Sequence, residues 1–262
     1  MNEFRFNSIG HSYELLVDGK WKKLTGITSI LKVIAKPALI QWAANMAVDY
    51  VKNNWGLEDV PALKKEEWDK MLEEAKLAHR KKKEEAGQKG TDVHAIIEQE
   101  IKEAIEKNNG LISEFRFNRE NLPQVKHFIN WAVNNKVKFL ESEKRMYSKE
   151  LFLGGTMDFA CEIDGDLWFG DIKTGSGIYA EAFWQMAGYQ ILAEEMGVFL
   201  KEIKGHIVLN LKKTGEFEEK RSVSNDDNKK AFLAALTIYR VKEKIEGQIL
   251  SNNKRTITFK SK

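Results

Sequence analysis

The sequence predicts an α/β protein with a mostly helical N-terminal half and a strand-rich C-terminal half. Three observations carry this reading. Apolar residues recur at helical spacing after Pro37, as in Leu39, Ile40, Trp42, Ala43, Met46, Ala47 and Tyr50. The period then shortens to two over 145–152, 155–163 and 166–173, with Asp164-Gly165 as a hairpin turn between the last two. Helical spacing returns over 179–196 and 226–247, and two further strands, near 203–211 and 216–223, lie between these helices. With no internal repeat and no linker, this order reads as one domain over 1–262. Its parts are an N-terminal hairpin and helical segment (1–86), a core (87–250) and a basic tail (251–262).

Taken in order, residues 1–25 alternate polar and apolar, with turns at Gly10 and Asp18-Gly19, and read as a small hairpin. Pro37 suits a first helical position. Residues 65–86 form a highly charged helix that carries Arg80, Lys81, Lys82 and Lys83. A separate helix is expected after Gly87-Gln88-Lys89-Gly90. Thr91 would be its N-cap, and Val93, Ile96, Ile97, Ile101, Ala104 and Ile105 its apolar face. It should stop at Asn108-Asn109-Gly110, and a fourth helix should run from near Pro123 to about Glu143.

Composition narrows the function classes. Apolar residues make up 42% and charged residues 31% of the 262, a globular balance that argues against fibrous or disordered architecture. The single cysteine, Cys161, excludes an internal disulfide, a thiolate zinc site and a four-cysteine iron–sulfur cluster. A metal would have to sit on oxygen or imidazole. No apolar run reaches the ~18 residues of a membrane span. The start, MNEFRFNSIGHSYELL, lacks the basic-then-apolar pattern of a signal peptide, so the expectation is a cytoplasmic protein. The net charge of +3 does not by itself specify a nucleic-acid partner.

The hairpin at Asp164-Gly165 gathers the residues with chemistry. A two-residue loop sets Ile163 opposite Asp166, and counting back along both strands sets Asp158 opposite Asp171 and Thr156 opposite Lys173. Asp171 and Lys173 share a face because side chains repeat every two residues. Carboxylates facing each other at ~5 Å repel, and a divalent cation on oxygen ligands would relieve that repulsion. The alternative is a solvated face with two unrelated aspartates. On the next helix, Glu181, Gln185 and Tyr189 form one stripe, directed either at this site or into an apolar face with Ala182, Met186 and Ala193. His94 would lie in the first turn of the helix after Gly90, where the helix dipole favours the neutral, ligating imidazole. The other reading of His94 is a surface residue at a helix end.

Four ordered segments then stand out: Gly90 to His94, Gly155 to Asp158, Asp171 to Gly175, and Gln185 to Tyr189. Together they resemble the RecB-type, phage-type exonuclease branch of the PD-(D/E)XK nucleases over roughly residues 87–192. The resemblance implies a restriction-endonuclease-like mixed central sheet flanked by helices. It implies Asp158 and Asp171 as metal ligands, with the Ile172 carbonyl and His94, and Lys173 as the catalytic lysine. Gln185 and Tyr189 would contact substrate or order the site, and the cofactor would be Mg²⁺ or Mn²⁺. There is no iron–sulfur cluster to expect, and no Gly-x-x-x-x-Gly-Lys-Ser/Thr loop for a nucleotide. The implied activity is a stand-alone metal-dependent deoxyribonuclease, an exonuclease of phage or recombination and repair type acting on single- or double-stranded DNA ends. A structure-specific endonuclease, a non-catalytic DNA-binding or assembly protein and a structural helical protein are the alternatives. A homo-oligomer, or partner proteins of recombination or replication, would be compatible with that role. Arg80, Lys81, Lys82, Lys83 and Lys89 are the candidate DNA contacts, the other reading being a solvated helix face. Trp42, Trp55, Trp68, Trp131 and Trp184 divide between base stacking and core.

Overall fold

The computed structural model describes residues 3–54, 64–112 and 122–252. Side chains are described for these apart from 37–38, 86–92 and 250–252. Contacts cluster into two compact units, Met1–Ile34 with Ile96–Lys262, and Ala35–Ala95. The sequence reading had placed one domain across the chain.

The first unit opens with β1 (Phe4–Asn7), β2 (Ser12–Val17) and β3 (Lys20–Lys23), an antiparallel sheet in the order β1-β2-β3. The expected hairpin thus gains a third strand. The chain continues through β4 (Thr25–Gly26), α1 (Ile27–Ile30) and a 3-10 turn at Leu31–Val33. The second unit holds α2 (Pro37–Asn54) and the part of α3 (Lys65–Lys107) that precedes Ile96. Within it the Tyr50 hydroxyl donates to Glu74 at 2.6 Å, joining α2 to α3.

The two helices expected over 65–107 are one helix of 43 residues, and Thr91 is not an N-cap. Gly87 and Gly90 do not break it, because a glycine inside a helix costs only about 1 kcal/mol and keeps its N–H donor. The helix ends where it was expected to end, at Asn109 and Gly110, both with positive φ.

α4 (Pro123–Asn134) is shorter than the helix expected to reach Glu143. Its last turn is closed by backbone bonds from Asn135 to Trp131 and from Val137 to Ala132, and Lys136 adopts φ 49°. Strand β5 (Lys138–Ser148) then begins seven residues before the expected 145, because Lys138 onwards pairs with β6 (Leu153–Ile163). A tight hairpin at Asp164 and Gly165, with φ 52° and 83°, leads into β7 (Asp166–Lys173). α5 (Ala180–Met196), β8 (Ile203–Leu211), β9 (Phe217–Ser222) and α6 (Asn225–Asn252) follow, close to their expected bounds. Residues 253–262 of the expected basic tail lie outside the described residues, as do Trp55 and 113–121.

The main sheet is mixed. β5–β6, β6–β7 and β8–β9 are antiparallel, while β4–β6 and β7–β8 are parallel. A parallel β7–β8 pair needs a crossover, and α5 supplies it. α5 covers one face: Met186, Tyr189 and Leu192 pack with Ala160, Leu167 and Phe169, and Phe232 of α6 joins them. α4 covers the other, where Phe128 and Trp131 meet Phe139 and Phe159 at ring-centroid distances of 5.7 to 6.3 Å. The molecule is therefore α/β, with a mixed sheet between helical layers. Among the described residues, no helix is long and apolar enough to cross a membrane.

Strand β6 has two edges, and their use positions the site. β5 takes one edge from Leu153 to Glu162. The other is shared: β4 pairs with Leu153 and Gly154, and β7 pairs from Phe159 to Ile163. Between Gly154 and Phe159 that second edge has no strand partner among the described residues, and Asp158 lies in this gap.

Candidate active site at a fork in the sheet

The hairpin register matches the count from the turn as far as the ladder extends, from Ile163 opposite Asp166 to Phe159 opposite Gly170. There β7 leaves β6 and pairs only with β8. Neither Asp158 and Asp171 nor Thr156 and Lys173 are consequently ladder partners, a correction to both expected pairings. Asp158 occupies the fork. Its Oδ2 accepts the Ile172 N–H at 2.8 Å, so a side-chain oxygen replaces the strand carbonyl that an unbroken ladder would have supplied.

From this fork a chain of polar contacts runs into the molecule. Asp171 is buried, with 1% exposure. Lys173 Nζ donates to Asp171 Oδ1 at 2.9 Å and lies 2.6 Å from Oδ2. The same ammonium approaches Gln185 Oε1 at 3.4 Å. Gln185 Nε2 donates to the Tyr189 hydroxyl at 2.8 Å. Two neighbouring helical positions of α5 therefore read out one lysine of β7. Tyr189 reaches this place because residue 155 is glycine: a Cβ there would lie 2.6 Å from the Tyr189 ring. The Tyr189 ring is part of the core, and its hydroxyl belongs to the polar chain.

The electrostatics follow from burial. Burial, and then the Asp171 charge, push the Asp158 carboxyl well above the ordinary carboxylate range. Burial works against the Lys173 ammonium, but the carboxylates of Asp171 and Asp158 outweigh it and hold Lys173 above its usual value. Lys173 is thus a firm cation at neutral pH. Burial, followed by the two carboxylates, raises the Tyr189 phenol and keeps it neutral, its oxygen accepting from Gln185.

Glu143, to which the sequence analysis gave no role, also belongs here. It sits in mid-strand β5 with φ 49°, a left-handed conformation that costs a non-glycine residue energy. The ladder passes from Ser142 opposite Phe159 to Lys144 opposite Met157, which sets Glu143 beside Asp158. Its charge further raises Asp158. Its own carboxyl is raised by burial and then by Glu98. The expected strand began at 145, so this register could not be counted.

Of the predicted site residues, the structure brings together Asp158, Asp171, Ile172, Lys173, Gln185 and Tyr189 in the first unit. His94 lies in the second unit, half-buried in the middle of α3. The helix-start argument for a neutral imidazole therefore does not apply to it. Arg80, Lys81, Lys82 and Lys83 are exposed on α3 in the same unit, and the Lys89 side chain lies outside the described residues.

The donor set fits a hard divalent cation. Two carboxylates face one ammonium, and Asp171 Oδ2 is buried without a geometrically formed hydrogen bond. Among the described residues, no three His, Cys, Asp or Glu side chains converge into a ready-made cage, so the protein would offer such an ion these two carboxylates.

Fold and site together define an α/β protein whose mixed sheet forks around a partly buried Asp–Lys–Gln–Tyr chain. No family model and no curated protein matches the sequence. Among solved structures, the chain is similar to the crystal structure of an alkaline exonuclease (LHK-Exo) from Laribacter hongkongensis. The TM-score is 0.39 and the identity 8%, covering 90% of this chain and 95% of that chain.

Proposed function

We propose that this protein is a metal-dependent deoxyribonuclease of the PD-(D/E)XK kind, a stand-alone exonuclease that hydrolyses DNA phosphodiester bonds with Mg²⁺ or Mn²⁺. The observation that supports the reading is the fork itself: Asp158 and Asp171 held together at the end of a ladder, with the Lys173 ammonium against them. The ordered resemblance of the surrounding sequence supports it further.

A phosphodiester is anionic and its leaving oxygen is poor. Asp158 and Asp171 would hold the divalent ion, which neutralises phosphate charge and acidifies water when bound. Lys173 carries the part that belongs to this chain alone. Its ammonium, fixed by Asp171 and Gln185, orients an attacking water and offsets charge that develops on the phosphoryl oxygens. Gln185 keeps its amide oxygen toward Lys173 because its amide nitrogen is committed to Tyr189. Asp158, anchored to the Ile172 amide, cannot swing away from the fork.

The test is digestion of end-labelled linear DNA and closed circular DNA, with Mg²⁺ or Mn²⁺ and with chelator. Linear DNA should be degraded only with metal, and circles should persist. Lys173→Ala should remain folded by circular dichroism and bind Mn²⁺ at least as well as wild type. It should lose turnover at least a hundredfold, an effect expected when a transition-state contact is removed. Wild-type turnover in that variant would mean the fork is not the active site.

A further inference from the structure

Resting on that reading, a second residue near the fork has no role assigned so far. Arg145 on β5 is exposed, and its guanidinium lies over the Phe6 ring of β1 at 4.7 Å from the centroid. Among the described residues it forms no hydrogen bond and no ion pair, although carboxylates are abundant. Arg5, in the same sheet as Phe6, donates to Glu14 at 2.8 Å, and Arg221 is bonded to Glu219. Arg145 instead leaves its donors unused among the described residues while its guanidinium rests over the Phe6 ring. Its charge acts on Glu143 two residues away, but a guanidinium over an aromatic ring that no carboxylate of the described residues hydrogen-bonds is available to an anion brought from outside.

Its position says which anion. Arg145 is the ladder partner of Thr156, and Thr156 lies two residues before Asp158 on β6, about 7 Å along the strand. The local frame is fixed. The Tyr13 hydroxyl and Thr156 Oγ1 share a hydrogen bond of 2.8 Å, and Tyr13 packs against Phe6 at 5.2 Å. Phe6, Tyr13, Thr156 and Arg145 therefore form one patch that borders the fork, all within the first unit. A chain of phosphates whose scissile member is at Asp158 would present a neighbouring phosphate to this patch.

We propose that Arg145, seated over Phe6, grips a backbone phosphate of the nucleic acid next to the one at the fork and sets the strand's register. The ligand is a nucleic-acid phosphodiester, recognised by its charge and not by its base. Phe6 is a positioning residue that acts through Arg145.

The experiment measures binding, in chelator so that no turnover intervenes, of wild type, Arg145→Gln, Arg145→Lys and Phe6→Leu to single-stranded and duplex oligonucleotides. A series carries one uncharged methylphosphonate at each linkage in turn. Arg145→Gln should weaken binding about tenfold and reduce the slope of log affinity against log salt by about one. Arg145→Lys should recover part of the loss, since a point charge lacks the planar fork. One methylphosphonate position should weaken wild type about as much and leave Arg145→Gln unaffected, because both changes remove the same contact. Phe6→Leu should weaken binding less, at that same linkage. The proposal is overturned if Arg145→Gln binds like wild type, if its loss adds to every methylphosphonate, or if wild type binds no DNA. Binding is read without metal. A wild type that binds in this pattern but never cleaves would sink the nuclease reading and leave Arg145 standing, and the reverse outcome separates them equally well.

Discussion

Position 155 shows how tightly single residues are constrained at the fork. A methyl group there would lie 2.6 Å from the Tyr189 ring and 3.0 Å from Ile27, in a region with no room to yield. Overpacking of this kind costs about 1–3 kcal/mol. Gly155→Ala should lower the melting temperature by several degrees and reduce turnover beyond what partial unfolding explains, because Tyr189 would carry Gln185 away from Lys173. A thermal melt with single-turnover cleavage below the transition checks both; an unchanged melting temperature would show that the ring can move aside. The ladder from Ile163–Asp166 to Phe159–Gly170 was legible in the sequence because a two-residue turn fixes register, and the Gln185–Tyr189 stripe because a helix repeat does; the fork beyond Gly170, where Asp158, Asp171 and Lys173 lie, was not. Glu143 and Arg145 were not legible. Both depend on the pairing of β5, and Glu143 also on a left-handed conformation that no residue spacing announces.

At the level of elements, β8 and α5 meet through a buried histidine. His206 Nε2 lies 2.9 Å from Gln190 Oε1, and Nδ1 is buried without a hydrogen-bond partner among the described residues. Burial, with Lys229 nearby, lowers its value from 6.5 to about 4. The folded state thus keeps the imidazole neutral where the unfolded chain would protonate it. Between these two values the unfolded state binds more protons, so stability is full above about pH 6.5 and falls as pH drops toward 4. The loss from this group is about 3 kcal/mol at most. Urea titrations at pH 7, 6, 5 and 4 should show that decline in wild type and a smaller one in His206→Gln. Parallel curves for the two proteins would remove His206 as the cause. Elements also show where sequence reasoning falls short. The glycines at 87 and 90 weigh too little to end α3 without a proline or a cap. The start of β5 was read as helix because its pairing with β6, and not its local pattern, decides its state.

Across the whole molecule, the main sheet joins distant parts of the chain. β4, at Thr25–Gly26, is parallel to Leu153–Gly154, and the Tyr13–Thr156 bond spans 143 residues of sequence. Such partners must be found after long loops have closed, which slows folding and favours intermediates in a chain of this size. Refolding followed by tryptophan fluorescence should extend over milliseconds to seconds in more than one phase. Tyr13→Phe should chiefly accelerate unfolding, as expected of a contact made late. A single fast phase would contradict this order of assembly. The same long separations explain why the N-terminal strands read as an independent hairpin: nothing in residues 1–25 advertises a partner beyond residue 150.

The bond from the Ile172 amide to Asp158 has one more consequence, for sequence drift. A residue that served chemistry alone could become anything once the chemistry was no longer selected. Position 158 has a second duty, since losing its acceptor would strand a backbone N–H at the end of a ladder, at a cost of about 1–3 kcal/mol. If the proposed DNA cleavage were lost in a lineage, position 158 would thus be held to Asn or another short acceptor, while Lys173 was free to change. The fork would outlast its own activity, and a retained aspartate would be a poor witness to it; the lysine is the better one.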